Sequence, residues 1–346
     1  MNQTVNEIRH SDKRGQEQFE RLLEKAGMKR DKNLDYIAGI YDENYNLIAS
    51  GACFGNALRC LAVDEKHQGE GLMAPVVTHL TEHQMSKSRR HLFLHTKCAN
   101  AGIFSALGFY EIARSEDGVL LMESVKNSFG NFLADIGARK KGGKSAAIVV
   151  NCNPFTLGHR YLVERTAAEN DTVHLFVVSE DLSLFPFADR YRLVEEGCAD
   201  LSNVILHTTG SYMVSSAVFP SYFLKDETSV IQAQARLDIA VFKQIAEAAG
   251  AQTRYVGEEP FSHVTGIYNK IMQERLPLSG IECKIIPRKE HGGTAISASR
   301  VRALLQEGRI QECKELVPPT TYQYFFSESG AKVIKAIQEA EDVVHY

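Results

Sequence analysis

An apolar segment that turns through proline and glycine into a helix constrains this chain more than any other feature. The run from Ala146 to Val150 predicts a buried strand, and residues 160–165 have the composition of a helix. Between them, residues 153–159 read Asn-Pro-Phe-Thr-Leu-Gly-His. Such a turn aims backbone N–H groups and the positive end of the helix at one spot, where Thr156 and His159 add a hydroxyl and an imidazole. The segment therefore predicts an anion-binding corner.

A second segment, residues 296–302, offers similar chemistry near the far end of the chain. It reads Ile-Ser-Ala-Ser-Arg-Val-Arg and stands at the start of a predicted helix, where two hydroxyls and two guanidiniums suit phosphate. A serine-rich helix start alone is usually just an N-cap, and a lone Thr-x-Gly-His is often a turn with a capping hydroxyl. The joint occurrence of both segments in their predicted contexts favours a nucleoside triphosphate site.

Short strands and helices alternate along the chain on both sides of a basic, glycine-rich stretch at residues 137–144. Such composition resists packing and predicts a linker, so we expect a first domain over residues 1–126, a connecting segment over 127–144 and a second domain over 145–346. The regular alternation in the second half predicts an α/β fold with a Rossmann-like, doubly wound parallel sheet. Ligands of such sheets bind beyond the carboxyl ends of the strands, where both anion-binding segments would lie.

The apolar patterning also places the individual elements. Strands are predicted at residues 36–41, 47–53, 58–63, 92–96, 109–113, 146–150, 173–178, 204–208, 254–256 and 284–286. Helices are predicted from about residue 72, over 99–107, over 160–165, and from residues 190 and 296.

The bulk composition excludes several classes of protein. The length of 346 residues allows two domains, and the net charge of −4 lacks the polybasic signature of nucleic-acid binding. The seven cysteines form no CxxC pair, which predicts a reducing environment. Residues 1–7 lack a signal-peptide core, and no apolar run approaches the roughly 20 residues that span a bilayer. We therefore expect a cytoplasmic protein with neither nucleic acid nor a membrane as partner.

Two motifs fail in their context. Residues 143–145 read Gly-Lys-Ser like the end of a P-loop, but Ala138 stands where that motif needs glycine, and a strand follows instead of a helix. His79, Glu82 and His83 have the His-x-x-Glu-His spacing of inverzincin metalloproteases. They fall on a predicted helix without an identifiable third ligand, so we expect them on its solvent face and predict no metal site.

Three further positions offer supporting groups without deciding between functions. Arg190 could clamp phosphates or be an ordinary solvated helix arginine. Gly257 ends a strand within residues 255–261, where an adenosine would lie, although a plain βα loop is an equally good account. Residues 211–216 are aromatic and hydroxyl-rich, which is consistent with a substrate wall or with a loop.

Both anion-binding segments resemble signatures of the nucleotidylyltransferase superfamily. In the first, (His/Thr)-x-Gly-His after a strand, the matching residues are Asn153, Pro154, Thr156, Gly158 and His159. Val150 departs from the glycine that many members have at that position. In the second, Ile-Ser-Ser-Thr-x-x-Arg, the matching residues are Ser297, Ser299 and Arg302, and Ala298 replaces one hydroxyl residue.

This resemblance implies how ATP would be held. Gly158 would let the backbone approach ATP, while Thr156 and His159 would contact the phosphates and stabilise the charge on departing diphosphate. The remaining nucleotide contacts would come from Asn153, Pro154, Gly257, Ser297, Ser299 and Arg302, the last three on the β- and γ-phosphates. Mg²⁺ is expected as the charge partner, although no carboxylate cluster identifies its ligands.

Residues 66–71, Lys-His-Gln-Gly-Glu-Gly, resemble the acyl-CoA loop of GNAT-type acetyltransferases, (Arg/Gln)-x-x-Gly-x-(Gly/Ala). Lys66 stands where Arg or Gln is usual, and Gly69 and Gly71 would let backbone N–H groups reach a pyrophosphate. Asn100 and residues 107–109 resemble the last conserved segment of that fold. The resemblance implies a GNAT-like α/β domain in the first half, but acetyltransferase activity does not follow from the fold.

The combination of both halves resembles the citrate lyase ligase family over nearly the whole chain, most specifically at residues 153–162, 256–261 and 296–302. The resemblance implies an ATP-dependent ligase that activates acetate as acetyl-adenylate. The acetyl group would pass to the thiol of the phosphoribosyl-dephospho-CoA arm on the citrate lyase acyl carrier protein, with release of AMP and diphosphate. The loop at Lys66, Gly69 and Gly71 would dock that arm.

Other classes of function stay open at this point. One alternative is a small-molecule nucleotidylyltransferase that forms an adenylylated cofactor precursor and carries the first half as an appendage. Another is an acetyl-CoA-dependent N-acetyltransferase whose second half is regulatory. A non-catalytic nucleotide sensor is the least favoured, because both phosphate motifs retain their chemically useful side chains.

Overall fold

The computed structural model describes residues 4–31, 33–180, 183–213, 227–258, 263–340 and 343. The chain divides into two compact units, which are Met1–Asn131 with Val214–Val241 and Phe132–Met213 with Phe242–Tyr346. The segment Val214–Val241 thus interrupts the second unit in sequence and belongs to the first. Domain limits at residues 126 and 145 stay a prediction.

The first unit is built on a seven-stranded sheet of mixed direction. Its strands are β1 (Val5–Glu7), β2 (Tyr36–Tyr41), β3 (Leu47–Phe54), β4 (Ala57–Val63), β5 (Phe93–Lys97), β6 (Tyr110–Arg114) and β7 (Val119–Glu123), in the spatial order β1-β2-β3-β4-β5-β7-β6. Its helices are α1 (Lys13–Lys25), α2 (Met73–Ser86) and α3 (Ala101–Ala106). This order confirms the predicted GNAT-like α/β fold. Strands β4 and β5 run parallel but pair only at Ala57–Phe93 and Leu58–Leu94.

Helix α4 (Ser128–Gly137) lies where the sequence predicts a connecting segment. Phe129 and Ile136 are both buried, and their seven-residue spacing puts them on one face of the helix. The carboxylate of Glu123 also accepts the backbone N–H of Phe129 at 2.9 Å, which caps the first turn. An apolar face and a capped start therefore outweigh the glycines in this stretch.

The second unit is built on a five-stranded, all-parallel sheet in the order β10-β9-β8-β11-β12. These strands are β8 (Ser145–Val150), β9 (Thr172–Val177), β10 (Val204–Thr208), β11 (Thr253–Gly257) and β12 (Glu282–Ile286). The hairpin β13 (Glu290–His291) and β14 (Thr294–Ala295) precedes the last helices. The helices after α4 are α5 (Leu157–Glu169), α6 (Phe187–Gly197), α7 (Glu227–Ala249), α8 (His263–Arg275), α9 (Ala298–Gln306), α10 (Pro319–Tyr324) and α11 (Glu328–Glu339).

The strand order of the second unit determines where a ligand can bind. The chain leaves β8 toward β9 on one side, and later returns to pair β11 on the other side of β8. A crevice beyond the carboxyl ends of the strands at such a reversal is the usual ligand site of an open α/β sheet. Buried apolar residues such as Ile148 and Leu175 anchor the central strands, so the segments that leave them start from fixed positions. None of the helices in the described ranges has the length and apolar character needed to cross a membrane.

Candidate active site

Thr156 and His159 fix the turn from β8 into α5. Thr156 is the N-cap residue, and its Oγ1 accepts the backbone N–H of His159 at 3.3 Å. In return, Nδ1 of His159 accepts the backbone N–H of Thr156 at 3.1 Å. This reciprocal arrangement is a capping box in which histidine takes the place of the usual Glu or Gln. The two side chains therefore fix the start of α5 and lie together beyond the end of β8.

The hydrogen bonds of His159 determine which of its nitrogens carries a proton. Because Nδ1 accepts an N–H group, the neutral ring is protonated at Nε2. Burial, and then the positive charges of Arg288 and Arg302, lower the pKa of His159 to about 4. At neutral pH the imidazole is therefore an uncharged N–H donor. The positive charge that a polyphosphate needs must come from other groups.

The two predicted anion-binding segments meet at Gly158. A Cβ on Gly158 would lie 2.8 Å from the carbonyl oxygen of Ile296, so the backbone before α9 packs directly against the first turn of α5. The sequence analysis predicts that ATP approaches the backbone at Gly158. On the side where a Cβ would lie, however, the backbone of Ile296 fills the space. Glycine is needed there because two backbone segments approach closely.

Arg302 joins the same two segments from the core. It is 3% exposed, its Nη1 donates to the carbonyl oxygen of Asn153 at 2.5 Å, and its Nε donates to that of Val343 at 2.6 Å. The prediction that Arg302 binds the β- and γ-phosphates disagrees with this placement, because a buried guanidinium engaged with backbone carbonyls is not presented to a ligand. Arg302 instead holds α9 to the turn that follows β8.

Arg190 has a comparable structural role in α6. Its side chain is fully buried, and Nη1 donates to the carbonyl oxygens of Asn151 and Val178, each at 2.8 Å. Nε donates to the carbonyl oxygen of Phe185 at 2.9 Å. The predicted phosphate clamp and the alternative of a solvated arginine are both wrong. The backbone carbonyls that follow the ends of β8 and β9 need donors, and this guanidinium supplies them.

Ser297 and Ser299 start α9 within reach of each other. Ser297 is the N-cap residue, and its Oγ accepts the backbone N–H of Arg300 at 3.1 Å. The two hydroxyl oxygens lie 3.1 Å apart. Capping thus accounts for Ser297, and phosphate binding by the hydroxyl pair stays a prediction. The positive end of α9 and that of α5 are brought together by the contact between Gly158 and Ile296.

Asn153 and Pro154 shape the turn between these helix starts. The Asn153–Pro154 peptide bond is cis, and the side chain of Asn153 is buried, where its Oδ1 accepts the backbone N–H of Phe185 at 3.0 Å. Asn153 therefore connects the turn after β8 with the segment before α6. Direct contact of either residue with a nucleotide stays a prediction.

Gly257 is the last residue of β11, and Arg288 contacts the residue that follows it. Apart from its two chain neighbours, none of the described residues has an atom within 4 Å of the position of a Cβ on Gly257. The next residue, Glu258, accepts at its carbonyl oxygen a hydrogen bond of 2.7 Å from Nε of Arg288. Residues 259–261 of the predicted adenosine segment lie outside the described residues.

The other weakly predicted wall, residues 211–216, is described only as far as residue 213. Tyr212 and Met213 are both buried, and the ring of Tyr212 packs against that of Phe132 with their centroids 4.8 Å apart. These two residues therefore belong to the packed interior of the second unit.

The loop between β4 and α2 contains the two glycines of the predicted arm-binding motif. Gly69 and Gly71 have φ angles of +86° and +77°, which glycine adopts without strain. The backbone N–H of Lys66 donates to the Asp64 carboxylate at 3.1 Å. Apart from chain neighbours, no atom of the residues that the structure describes lies within 4 Å of a Cβ built on either glycine, so these residues leave room beside both backbones. Binding of a CoA-like arm at Lys66, Gly69 and Gly71 stays a prediction.

The predicted solvent face of α2 is wrong for its two histidines. Nε2 of His79 lies 2.8 Å from the hydroxyl of Tyr36, and the ring of His83 stacks on that of Tyr36 at a centroid distance of 3.7 Å. Both histidines therefore pack against strand β2. Burial lowers the pKa of His83, with Lys87 as the next cause.

This chain is similar to known proteins over most of its length. Residues 145–325 match the family model described as the citrate lyase ligase C-terminal domain. The chain is 38% identical to the [citrate [pro-3S]-lyase] ligase of Klebsiella pneumoniae over 90% of this chain and 93% of that protein. The identity is 36% to the Haemophilus influenzae protein of the same name, over 88% of this chain and 92% of that one. The identity is 34% to the Escherichia coli K12 protein of the same name, over 93% of this chain and 94% of that one. The chain belongs to the citrate lyase ligase family.

This citrate lyase ligase family member offers no ready-made protein cage for a metal. Within the described residues, no group of three or more His, Cys, Asp or Glu side chains is placed to hold an ion. Mg²⁺ commonly binds through one or two carboxylates together with substrate phosphates, and this pattern needs no such cluster.

Proposed function

We propose that this protein is an ATP-dependent ligase that activates acetate as acetyl-adenylate and acetylates a thiol on the acyl carrier protein of citrate lyase. The observation that carries the proposal is the close approach of the two anion-binding segments at Gly158 and Ile296. It brings two helix starts, an imidazole N–H and a pair of hydroxyls to one corner of a parallel sheet. The names of the three relatives support citrate lyase as the partner.

The first step is a nucleotidyl transfer. A carboxylate oxygen of acetate attacks the α-phosphorus of ATP, the bond from that phosphorus to the bridging oxygen breaks, and diphosphate leaves. The residues then have to position the two reactants and stabilise the charge on the departing oxygen, with no covalent bond to the protein. Nε2–H of His159 and the hydroxyls of Ser297 and Ser299 are the donors proposed for this task.

Mg²⁺ is part of the proposal as the ion that neutralises phosphate charge. Its oxygen ligands would be ATP phosphates, since the described residues provide no cluster of carboxylates for it. Thr156 would act mainly through His159, because its hydroxyl and backbone N–H both lie against that residue. This makes Thr156 a positioning residue.

The second step transfers the acetyl group to sulfur. The thiolate of the phosphoribosyl-dephospho-CoA arm attacks the acyl carbon, the bond from that carbon to the adenylate oxygen breaks, and AMP leaves with the electron pair. The thiol proton passes to solvent. We propose that the open backbone at Gly69 and Gly71 in the first unit binds this arm, whose pyrophosphate-bearing portion is similar to that of CoA.

Acetate-dependent exchange of labelled diphosphate into ATP tests the first step. His159→Ala should abolish it, because the variant loses the Nε2–H donor and half of the capping box at α5. His291→Ala is the matched control, since it removes an exposed histidine from β13 in the same unit. Near-normal exchange in a folded His159→Ala protein would sink the assignment. Exchange in the wild type that proceeds equally well without acetate would instead point to another nucleotidylyltransferase.

The arm-binding role needs an assay of the second step alone. Gly69→Leu should impair acetylation of the carrier-protein thiol while leaving acetate-dependent exchange intact. Gly27→Leu is the control, because Gly27 also has a positive φ, of +69°, and open space beside it, but lies at the end of α1. Equal rates of thiol acetylation in the two variants would remove the first-unit loop from the mechanism.

A further inference from the structure

The donors assigned to the proposed site so far carry no positive charge of their own. His159 is neutral at neutral pH, because burial, and after it the charges of Arg288 and Arg302, lower its pKa to about 4. Arg302 is buried, and its Nε and Nη1 donate to backbone carbonyls. Departing diphosphate carries several negative charges, which two helix starts and neutral donors stabilise only in part. A cation beside these donors would complete the site.

Arg300 stands at the corner where the two anion-binding segments meet. It is the third residue of α9, and its backbone N–H donates to Oγ of Ser297 at 3.1 Å. That hydroxyl oxygen lies 3.1 Å from the one of Ser299. The residue before Ser297 is Ile296, whose backbone packs against Gly158 of α5. Because the Cα–Cβ bonds of a helix tilt toward its first residue, the side chain of Arg300 leans toward this corner.

The guanidinium of Arg300 has no partner in the protein. Among the described residues it forms neither a hydrogen bond nor an ion pair, and its Nη1 is buried without an acceptor. Buried N–H groups nearly always have a partner, so a missing one indicates an acceptor from outside the chain. The side chain as a whole is only half-buried, which leaves it within reach of a ligand.

The charge of Arg300 is unfavourable at this place unless an anion is bound. The positive end of a helix is stabilised by acidic side chains and opposed by cations. Neither α5 nor α9 has an acidic residue in its first turn, and α9 has a guanidinium there instead. An anion at the corner would be attracted by both helix starts and by Arg300. A local rule broken in this way is typical of a functional site.

One carboxylate offers an account of Arg300 that needs no ligand. Arg309, and after it Arg300, lower the pKa of Glu312. Both oxygens of Glu312, however, already accept hydrogen bonds from Arg309, at 2.6 and 2.8 Å. In the described part of the chain no ion pair joins Arg300 to Glu312 or to another acidic residue. Glu312 is therefore engaged by Arg309, and the donors of Arg300 stay available.

Two other basic residues that follow β12 differ from Arg300 because they have partners. Nε of Arg288 donates to the carbonyl oxygen of Glu258 at 2.7 Å. Nζ of Lys289 lies over the ring of Tyr161, 6.0 Å from its centroid. The guanidinium of Arg300 has no comparable contact among the described residues.

We propose that Arg300 binds the β- and γ-phosphates of ATP and stabilises the departing diphosphate, the task that the sequence analysis gives to Arg302. This role rests on the proposed function, because it presumes that the second unit cleaves ATP between the α- and β-phosphates. A guanidinium suits it, since its planar fork binds phosphate oxygens in pairs and stays charged throughout the accessible pH range. The two arginines then divide the work: Arg302 holds α9 to the turn after β8, and Arg300 binds the ligand.

Binding of inorganic diphosphate and of AMP, each measured by calorimetry on the full-length protein, tests this role. Arg300→Met should weaken binding of diphosphate and of a non-hydrolysable ATP analogue by about 10- to 100-fold, the usual effect of losing a charged hydrogen-bonding partner. AMP lacks the β- and γ-phosphates, so its affinity should be unchanged. Arg300→Lys should keep part of the diphosphate affinity. Arg165→Met, which removes an exposed arginine from α5, should change none of these affinities.

Urea unfolding of the same variants separates ligand binding from a structural role. Arg300→Met should leave the urea midpoint unchanged or raise it, because it breaks no hydrogen bond of the protein and removes a cation from a helix start. A clear fall of the midpoint, an unchanged diphosphate affinity, or an equal loss of AMP and diphosphate affinity would each overturn the proposal. Wild-type protein that binds diphosphate through Arg300 but shows no acetate-dependent exchange would leave the Arg300 role standing and refute acetate activation instead.

Discussion

The contact between Gly158 and Ile296 makes a sharp prediction for Gly158→Ala. The added Cβ would lie 2.8 Å from the Ile296 carbonyl oxygen, so the two backbones must separate by about 0.6 Å to reach ordinary contact at 3.4 Å. Alanine gains up to about 1 kcal/mol over glycine in a helix, and less here because Gly158 is only the second residue of α5. Overpacking costs about 1–3 kcal/mol. The net loss of unfolding free energy should be roughly 0–3 kcal/mol.

The loss of activity should be larger than this change in stability. A misplacement of about 1 Å at a reacting centre costs about 100-fold in rate, so a separation of about half that size should slow acetate-dependent exchange by about 10-fold or more. Diphosphate exchange and urea unfolding on the same preparation measure the two effects. Gly130→Ala is the matched control, because Gly130 lies within helix α4 with no atom within 4 Å of its Cβ position.

The Gly130→Ala control should exchange diphosphate as fast as the wild type, and its free energy of unfolding should be higher by about 0.5–1 kcal/mol. A Gly158→Ala protein that exchanges diphosphate at the wild-type rate would refute the reasoning, since the relative position of the two helix starts would then be irrelevant to catalysis. A variant that loses more than about 4 kcal/mol would also refute it, because the contact would then hold the fold rather than the site.

Two further predictions concern stability. Arg302→Met should lower the free energy of unfolding by at least about 3 kcal/mol in urea, since it strands the carbonyls of Asn153 and Val343, whereas Arg165→Met should change it by less than about 0.5 kcal/mol. Burial lowers the pKa of His95 and His207 to about 3 and that of His174 to about 4. Between pH 6.5 and 4 the unfolded chain binds more protons, so the urea midpoint should fall steadily as the pH is lowered through this window.

The strands were predictable because their signals are local. Runs such as residues 146–150 and 204–208 are apolar and bounded by polar or turn-forming residues, and the structure places β8 and β10 at almost the same bounds. Helix α4 was missed because it contains two glycines and runs into a basic, glycine-rich stretch, which masks two apolar residues one heptad apart. Its cap, Glu123, lies at the end of β7, outside the helix itself.

No local sequence pattern predicted that residues 214–241, which interrupt the second unit in sequence, belong to the first unit. Arg236 of α7 pairs with Asp117, which lies between β6 and β7 and is 119 positions earlier in the chain. A contact at such separation depends on the path of the chain between the two residues, and neither side chain differs from an ordinary surface charge. Patterning within a window of a few residues therefore could not assign this segment to a unit.

Residue type alone did not predict the contacts of the two arginines. Two arginines near the phosphate motifs were assigned to phosphate, and both bind carbonyl oxygens instead. The same five N–H donors serve either kind of oxygen, so the sequence does not distinguish an arginine that closes the ends of strands from one that faces a ligand. Only the depth of the side chain decides, and that depth depends on the packing of α6 and α9.

The protonation state of His159 limits the mechanism further. Raising its pKa from about 4 to about 7 would require roughly 4 kcal/mol of favourable interaction between the charged ring and bound phosphate, at 1.36 kcal/mol for each pKa unit. A charge-assisted hydrogen bond contributes about 1.5–3 kcal/mol, which is less than that requirement. A single phosphate contact therefore leaves the imidazole neutral, so it donates a hydrogen bond without transferring a proton. In the proposed reaction, diphosphate would then depart without a proton from His159.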